Sequence, residues 1–499
     1  MSLRVLLINP VANIPISWER SCAMPLGLAY LAAVIEREHE VKILDCLVEG
    51  YNKITPINDA IIRYGLDWDE IRKYIHKYMP DIVGVSSMFS DQSCNAHKIC
   101  EIAKDVDSHC ITIMGGVHPS CVPEMVMADK NVDFVILGEG EETFPCLLRH
   151  IEDGKEPFNI DGLVYRDKTG KLIVNRKTKF IKDLDSIPFP ARHLLPMDKY
   201  FAIERQHGFT KRTPHTIMIT SRGCPANCIF CSIHAVWGKG YRGRSSENVL
   251  REVEELVMKY GIKEIHFEDD NLTFDKNRAE KIFNGIIEKK WNIYWAVPNG
   301  IALWSIDKAL IPKMKKSGCY YLSLGIESGD QDVLDKLIKK PLKLNRIKYL
   351  VNDMKKQGIK VRGLFVLGVP GETKEQIERT IDFAANLKLN EAQFNIITPY
   401  PGTTLWKTCE ERSIFKVGFR IEDLLLNRSN IETIELSTQD LMQLQKKAMI
   451  KFNLSKVHDP FFLWDRIIKV TAKLFNHPRE IKEVGRKIKT YFKVLIGLS

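Results

Sequence analysis

At 499 residues the chain is too long for one hydrophobic core and points to about two or three domains. Its 44% apolar and 27% charged residues are the proportions of a globular protein in water. No run is apolar enough to span a bilayer, and Met1-Ser2-Leu3-Arg4 leads into V-L-L-I without the make-up of a secretory signal, so the twelve cysteines read as reduced cytoplasmic thiols. The net charge of +10 is uneven: residues 451–499 hold eleven Lys or Arg against four Asp or Glu, which leaves the rest close to neutral and excludes an enzyme with a basic nucleic-acid face.

Strand and helix alternate from the N-terminus. Arg4–Ile8 predicts an apolar strand, Leu26–Glu38 a helix, Val41–Leu44 a strand, Asp67–Tyr78 a helix, and Ile82–Ser86 a strand. Cys94–Val106 then predicts a helix, Cys110–Met114 and Phe134–Ile136 strands, and Glu142 to about Glu152 a helix. Apolar strands separated by helices predict a doubly wound parallel sheet, in which ligands bind beyond the carboxyl ends of the strands. Those ends read N-P at Asn9-Pro10, S-S at Ser86-Ser87, G-G-V-H-P at Gly115–Pro119 and G-E-G-E at Gly138–Glu141. Glycine there lets backbone approach a flat ligand, and the following helix N-termini offer free N–H groups. Taken alone, the pattern suits a flavodoxin-like domain with FMN or with no cofactor.

Gly162–Asn175 alternates apolar and polar residues around D-K-T-G and predicts a hairpin. Pro188, Pro190 and Pro196 then mark a semi-rigid extended linker rather than a core. A second strand–helix series starts at His215–Thr220 and runs to Ala392–Ile397, with intervening strands at Glu264–Glu268, Ile293–Val297, Tyr321–Ile326 and Val361–Leu367. Strand–helix units in tandem predict a partial parallel barrel with its chemistry at the strand carboxyl ends.

Behind the first of these strands, S-R-G-C-P-A-N-C-I-F-C sets Cys224, Cys228 and Cys231 in one tight C-x3-C-x2-C loop. Thiolates so spaced suit an iron-sulfur cluster; three ligands leave one iron of a four-iron cubane open to a small chelator. Zinc is the plainer alternative, but a structural zinc site takes four ligands, no second C-x2-C is present, and His234 is the nearest further candidate. Later strand ends carry E-D-D-N (Glu268–Asn271), G-I-E-S-G (Gly325–Gly329), L-G-V-P-G-E-T (Leu367–Thr373) and T-P-Y-P-G-T (Thr398–Thr403). Singly each reads as a cap or a turn; together they sit in register at the ends of successive strands. Beyond Leu405, Gln439–Phe452 predicts a helix. Phe461–Leu498 interleaves aromatic with basic residues, as either an amphipathic helix packed on the barrel or a peripheral membrane contact.

The cysteine array, with Phe230 before its last thiol, resembles the signature of the radical S-adenosylmethionine (SAM) enzymes. P-L-G-L-A-Y-L-A-A (Pro25–Ala33), G-G-V-H-P-S and V-D-F-V-I-L-G-E-G-E-E-T (Val132–Thr143) look like the cobalamin-binding domain that precedes such barrels in one large subclass. The resemblance covers about residues 3–405 and implies a 4Fe-4S cluster on Cys224, Cys228 and Cys231. It implies SAM contacts at Phe230, Asp269, Asp270, Glu327, Ser328, Gly368 and Pro399. It places cobalamin against Asn9, Ser86, Ser87, Gly115, Gly116, Gly138, Glu139 and Gly140. Arg242 and Arg244 either pair with the SAM carboxylate or form a solvated loop. D-x-H-x-x-G, the motif that puts a histidine below cobalt in other cobalamin proteins, is missing. His97 falls in a helix and His118 precedes proline, so cobalamin is expected without a protein imidazole.

The resemblance implies a 5'-deoxyadenosyl radical that removes hydrogen from an unactivated carbon, which then takes a methyl group from methylcobalamin. The alternative is an oxidative cyclase or rearrangement enzyme without methyl transfer, like the anaerobic cyclase of chlorophyll synthesis. A non-enzymatic corrinoid or electron carrier would not need the strand-end motifs. The expected architecture is a flavodoxin-like cobalamin-binding domain (1–158), a hairpin and linker (159–213), a partial (βα)6 barrel (214–405) and a helical basic extension (406–499). Expected partners are a small molecule as substrate, a hydrophobic one if the tail lies on a membrane, and a flavodoxin or ferredoxin donor; the expected site of action is the cytoplasm, with a peripheral membrane contact through the basic tail.

Overall fold

The computed structural model describes residues 2–203, 208–424 and 429–456. The tail from 457 on, where the membrane reading rests, lies outside the described residues. The first sheet comprises β1 (Arg4–Asn9), β2 (Glu40–Asp45), β3 (Ile82–Ser86), β4 (Ile111–Gly115), β5 (Phe134–Ile136), β6 (Leu163–Arg166) and β7 (Leu172–Val174). Their spatial order is β7-β6-β5-β4-β3-β1-β2. β1 to β5 are parallel in the flavodoxin-like order, and the strand order reverses between β1 and β3, where such sheets open a crevice. The predicted hairpin does not stand apart: β6 pairs antiparallel with β5, Tyr165 opposite Phe134, and extends this sheet.

Helices cover both faces, which is why the parallel strands read as unbroken apolar runs. Alternation along β1 sends Val5 and Leu7 into one core, with α1 (Leu26–Ile35) and α4 (Gly140–Glu152). It sends Leu6 and Ile8 into the other, with α2 (Trp68–Tyr78) and α3 (Ser93–Val106). Asp67 and Glu70 start α2 as a reciprocal capping box. The linker is a correction to the sequence reading. Instead of bridging two bodies as an extended spacer it packs, with Ala191, Leu195, Met197 and Tyr200 buried in the first core and the Ala191 N–H bonded to the Ala29 carbonyl at 2.9 Å. Proline density could not report burial. A small antiparallel sheet of Ala12–Pro15, Ile61–Tyr64 and Ile54–Pro56 went unread, because its strands are short and one of its two pairings joins segments some fifty residues apart.

The second sheet is wholly parallel and in sequence order: β8 (His215–Met218), β9 (Glu264–Phe267), β10 (Tyr294–Ile301), β11 (Cys319–Glu327), β12 (Lys360–Leu367) and β13 (Glu391–Ile396). β8 and β13 do not pair, so the barrel is partial as expected. Its outward residues meet α5 (Ser246–Tyr260), α6 (Lys276–Lys289), α7 (Leu310–Lys316), α8 (Leu344–Lys356) and α9 (Lys374–Asn386) in one large core. Trp295 there stacks on Phe283 at 5.1 Å between ring centroids. Helix α10 (Thr438–Leu454) lies against α9 and β13, held by Gln445 to the Phe394 carbonyl and by Lys447 to Glu378. No helix among the described residues is long and apolar enough to cross a membrane.

Candidate active site between the two sheets

The cysteine loop is fixed by the two aspartates of E-D-D-N. Asp269, buried at the end of β9, accepts bonds from the Thr220 backbone N–H, from Thr220 Oγ1 at 2.7 Å and from Ser221 Oγ at 2.5 Å. Asp270 accepts the Gly223 N–H at 2.9 Å. Gly223 has φ +83, and a Cβ there would stand 2.5 Å from the Gly240 carbonyl oxygen, so only glycine makes this turn. Beyond it, the Cys231 N–H bonds to the Cys228 carbonyl, while Ile229 bonds through its N–H to Ile338 and through its carbonyl to the Leu405 N–H. His234 Nε2 donates to the Cys224 carbonyl at 3.0 Å and is engaged there, away from the thiols.

The three thiols share one electrostatic environment. Burial raises the pKa of Cys224 and of Cys228, each would be pushed further by the other cysteines or nearby carboxylates, and the Lys340 ammonium opposes the rise in both. Among the described residues no three His, Cys, Asp or Glu side chains converge on a single-ion site. Asn271 Nδ2 is buried without a conventional hydrogen-bond partner, yet its side chain lies close enough to Cys224 to lower that thiol's pKa as a donor. An unspent N–H beside the thiols suits a cluster, whose sulfurs accept hydrogen bonds. The donor set fits the group.

Around the rim, Glu327 ends β11 with φ +68, a conformation rare outside glycine that marks a constrained position. It accepts from Lys340 Nζ at 2.9 Å, and both side chains are buried. Lys340 follows the π-helical turn Val333–Ile338, and the sequence reading missed it: one lysine in I-K-K-P carries no signal that it folds back over the cysteines. The other expected SAM positions divide. Gly368 turns at φ +82 with its N–H on Glu372, Pro399 is buried at the end of the last strand, and Phe230 packs against the barrel core. Ser328 is turned away, its Oγ paired with Thr380 Oγ1 at 3.0 Å and with the Asp330 N–H. Arg242 and Arg244 are neither solvated nor open to a ligand carboxylate. Arg242 pairs with Glu139 and donates to the Ile181 and Trp237 carbonyls, and Arg244 pairs with buried Glu252 and with Asn248. A short basic run reads as a surface loop until its acidic partners are placed: Glu139, 103 residues from Arg242, and Glu252, inside the helix that follows Arg244.

The strand ends of the first sheet face this loop. Gly116 has φ +113, and a Cβ on it would lie 2.7 Å from the Ser87 carbonyl, so β3 and β4 end in a cradle that only glycine leaves open. Ser87 Oγ is buried there without a partner. Asn9 donates to Asp45 at 2.9 Å, Ser86 and Gly115 close the paired ends of β3 and β4, and the Gly138 N–H bonds to Ser120 Oγ. An orphan hydroxyl beside a glycine-lined recess fits a large flat cofactor. Both histidines singled out in the sequence are engaged through Nδ1: His97 pairs with Asp129 at 2.8 Å, and His118 bonds to Ser90 Oγ at 2.9 Å with its pKa pushed down to about 4 by burial.

Charge joins the two layers. Glu139, of G-E-G-E, receives Arg222 Nη1 at 2.8 Å and Arg242 Nη1 at 2.7 Å, and Glu141 receives Arg222 Nη2 at 2.5 Å. Gly140 starts α4 between them. The last barrel loop also touches the first domain, since a Cβ on Gly402 would meet Cys121 Cβ at 2.7 Å. The strand ends of the two sheets thus form facing walls.

A three-thiol loop on a partial parallel barrel, opposed by a flavodoxin-like domain, defines a radical SAM enzyme with a cobalamin-binding partner domain. Residues 218–384 match the Radical SAM superfamily and residues 20–148 the B12 binding domain. The chain is 36% identical over 459 residues to cytidylyl-2-hydroxyethylphosphonate methyltransferase of Streptomyces wedmorensis, covering 84% of this chain and 85% of that one. It is 27% identical over 414 residues, 81% of this chain and 70% of the other, to the anaerobic magnesium-protoporphyrin IX monomethyl ester cyclase of Rubrivivax gelatinosus. The radical SAM methyltransferase TsrM of Kitasatospora setae, solved with cobalamin and a 4Fe-4S cluster, shares the fold at TM-score 0.65 and 18% identity over 83% of this chain and 75% of that one. The chain belongs to the cobalamin-dependent radical SAM methyltransferases. Its cofactors are a 4Fe-4S cluster, SAM and cobalamin, and methyl transfer is favoured over ring closure by the higher identity to the methyltransferase.

Proposed function

We propose that this enzyme methylates an unactivated carbon of a small molecule held between the two sheets, with Cys224, Cys228 and Cys231 as the cluster ligands. The observation that carries the reading is the closure of the cysteine loop onto the G-E-G-E loop through Arg222 and Glu139, because it sets the carboxyl ends of both sheets against one gap. When bound, the cofactors supply a radical that removes hydrogen and a corrin-borne methyl group. This chain's part is placement. Asp269 and Asp270 hold the loop that presents the thiols, Lys340 sets positive charge beside them, and Glu327 holds Lys340. Phe230, Gly368 and Pro399 line the SAM side. Asn9, Ser86, Ser87, Gly115, Gly116, Gly138, Glu139 and Gly140 border the corrin side. Domain limits at 1–158, 159–213, 214–405 and 406–499 accompany this reading. So do anaerobic work in the cytoplasm, a flavodoxin- or ferredoxin-type electron donor, and a peripheral membrane contact through the basic residues after 456. The methyltransferase of Streptomyces wedmorensis is named for a phosphonate nucleotide, and a substrate with a comparable polar group suits this chain.

Anaerobic reconstitution tests the assignment. Protein given iron, sulfide and cobalamin should hold about four irons per chain and a corrin. Replacing the three cysteines with alanine should remove the iron and leave the corrin, while His97→Ala and His118→Ala should leave the corrin absorption spectrum unchanged. Iron retained by the triple variant, or zinc as the native metal, overturns the cluster assignment. A lost nitrogen-ligated spectrum in either histidine variant overturns the reading of the corrin side.

A further inference from the structure

The face of the barrel sheet turned away from its helices is polar where its outer face is not. Outward residues of the last three strands, such as Leu322, Leu324, Val361, Phe365 and Phe394, are buried in the main core. The inward residues lie in layers set by the parallel register. Ser323, Arg362 and Glu391 share one layer, Gly325, Leu364 and Gln393 the next, and Val366 stands beside Asn395 above them. Tyr294, Ala296, Tyr320 and Tyr321 pack together below and form a floor.

Arg362 is the unusual member. It is half-buried, and its partner is the Tyr321 hydroxyl, which in turn donates to Glu391 Oε2 at 3.2 Å. It forms no ion pair with a carboxylate among the described residues. The other arginines about the site, Arg192, Arg222, Arg242 and Arg244, are each paired with glutamate. The carboxylate beside it, Glu391, is joined to it through the Tyr321 hydroxyl rather than by a direct ion pair, and the fork of N–H groups on a guanidinium matches a carboxylate or phosphoryl group in two parallel bonds. Gln393, bonded to Asn395 at 2.8 Å, continues the polar lining towards the rim.

Resting on the function proposed above, we infer that this layer anchors the substrate: Arg362 binds a carboxylate or phosphoryl group, Gln393 and Asn395 bond to its polar middle, and the reacting carbon lies at the rim near Glu327. Ser323 and Glu327 align with Arg362 and Phe365, three steps apart along β12, so the anchoring layer and the rim differ by about 10 Å along the strands. The substrate is then a polar anion rather than a lipid. Glu391 in the same layer disfavours the anion by charge, and this gives the proposal a second sign to read.

Binding of phenylphosphonate, benzoate and benzyl alcohol to the cluster- and corrin-loaded enzyme, followed by calorimetry, tests this without turnover. At least one of the two anions should bind, about tenfold more weakly to Arg362→Gln, with part of the loss recovered in Arg362→Lys. Glu391→Gln should tighten the same anion, and benzyl alcohol should respond to none of the changes. The anion that responds separates a phosphoryl from a carboxylate anchor. Equal anion binding by wild type and Arg362→Gln overturns the proposal, as does no anion binding by wild type or benzyl alcohol bound as tightly as the anions. If Arg362→Gln does not fold, the Arg362→Lys and Glu391→Gln pair decides by sign. Lost methyl transfer with this pattern intact would instead indict the proposed reaction.

Discussion

Glu372 carries a buried carboxyl with one oxygen engaged and one idle. Its Oε2 accepts the Gly368 and Val369 N–H groups at 2.7 and 3.1 Å, whereas Oε1 is buried without a partner. Burial pushes its pKa up to about 7, against the pull of the two N–H groups. The unfolded chain releases this proton near the ordinary glutamate value, so the held proton favours the folded state fully below about pH 4.5, and that contribution is lost as pH rises through about 7. Melting curves should show it. Wild-type stability should fall between pH 5 and 8 by on the order of 1–3 kcal/mol more than that of Glu372→Gln, whose amide keeps the acceptor and needs no proton. Parallel curves for the two proteins would show that Glu372 does not titrate in this range.

Whole elements are aimed by a few backbone positions. β3 and β4 end together at Ser86 and Gly115, and Gly116 carries the chain across Ser87 with no room for a side chain. Gly116→Ala meets both the left-handed φ and backbone atoms at 2.7 Å, so the two strand ends must part. The expected outcome is about 2 kcal/mol of lost stability and a lower corrin content at matched folding. Unchanged corrin uptake would move the corrin wall elsewhere. Helix α9 illustrates the cheaper kind of control. Thr373 and Gln376 form a reciprocal capping box at its start, directly after the Glu372 loop, and Thr373→Ala should cost about 1 kcal/mol in denaturant titration while leaving the iron content alone.

At the scale of the molecule, buried charge ties the two domains. Arg222 and Arg242 converge on Glu139, and Arg192 from the linker meets Arg244 on Glu252. Taking one partner from a buried pair strands the other, at about 3–5 kcal/mol. Glu139→Ala should therefore separate the melting of the barrel from that of the first domain, giving two calorimetric transitions in place of a shared one. A single unshifted transition would show that apolar contact alone holds the domains together.

How much of this was legible in the sequence follows from the range of each signal. The parallel strands, their helices and the C-x3-C-x2-C loop were readable because periodicity and ligand spacing are local, and the strand-end motifs lay in order along the chain. The packed linker, the pairing of Ala12–Pro15 with Ile61–Tyr64, Lys340 beside the thiols and the Glu139 partner of Arg242 were not, because each depends on residues tens to about a hundred positions apart; Glu252, 8 residues from Arg244, went unread because the helix face that carries it is set by packing. Asp269 shows the division within one residue. Its place at a strand end could be read from the sequence alone, but that it holds the cysteine loop through Thr220 and Ser221 was decided only when β8 and β9 paired and closed a gap of 49 residues.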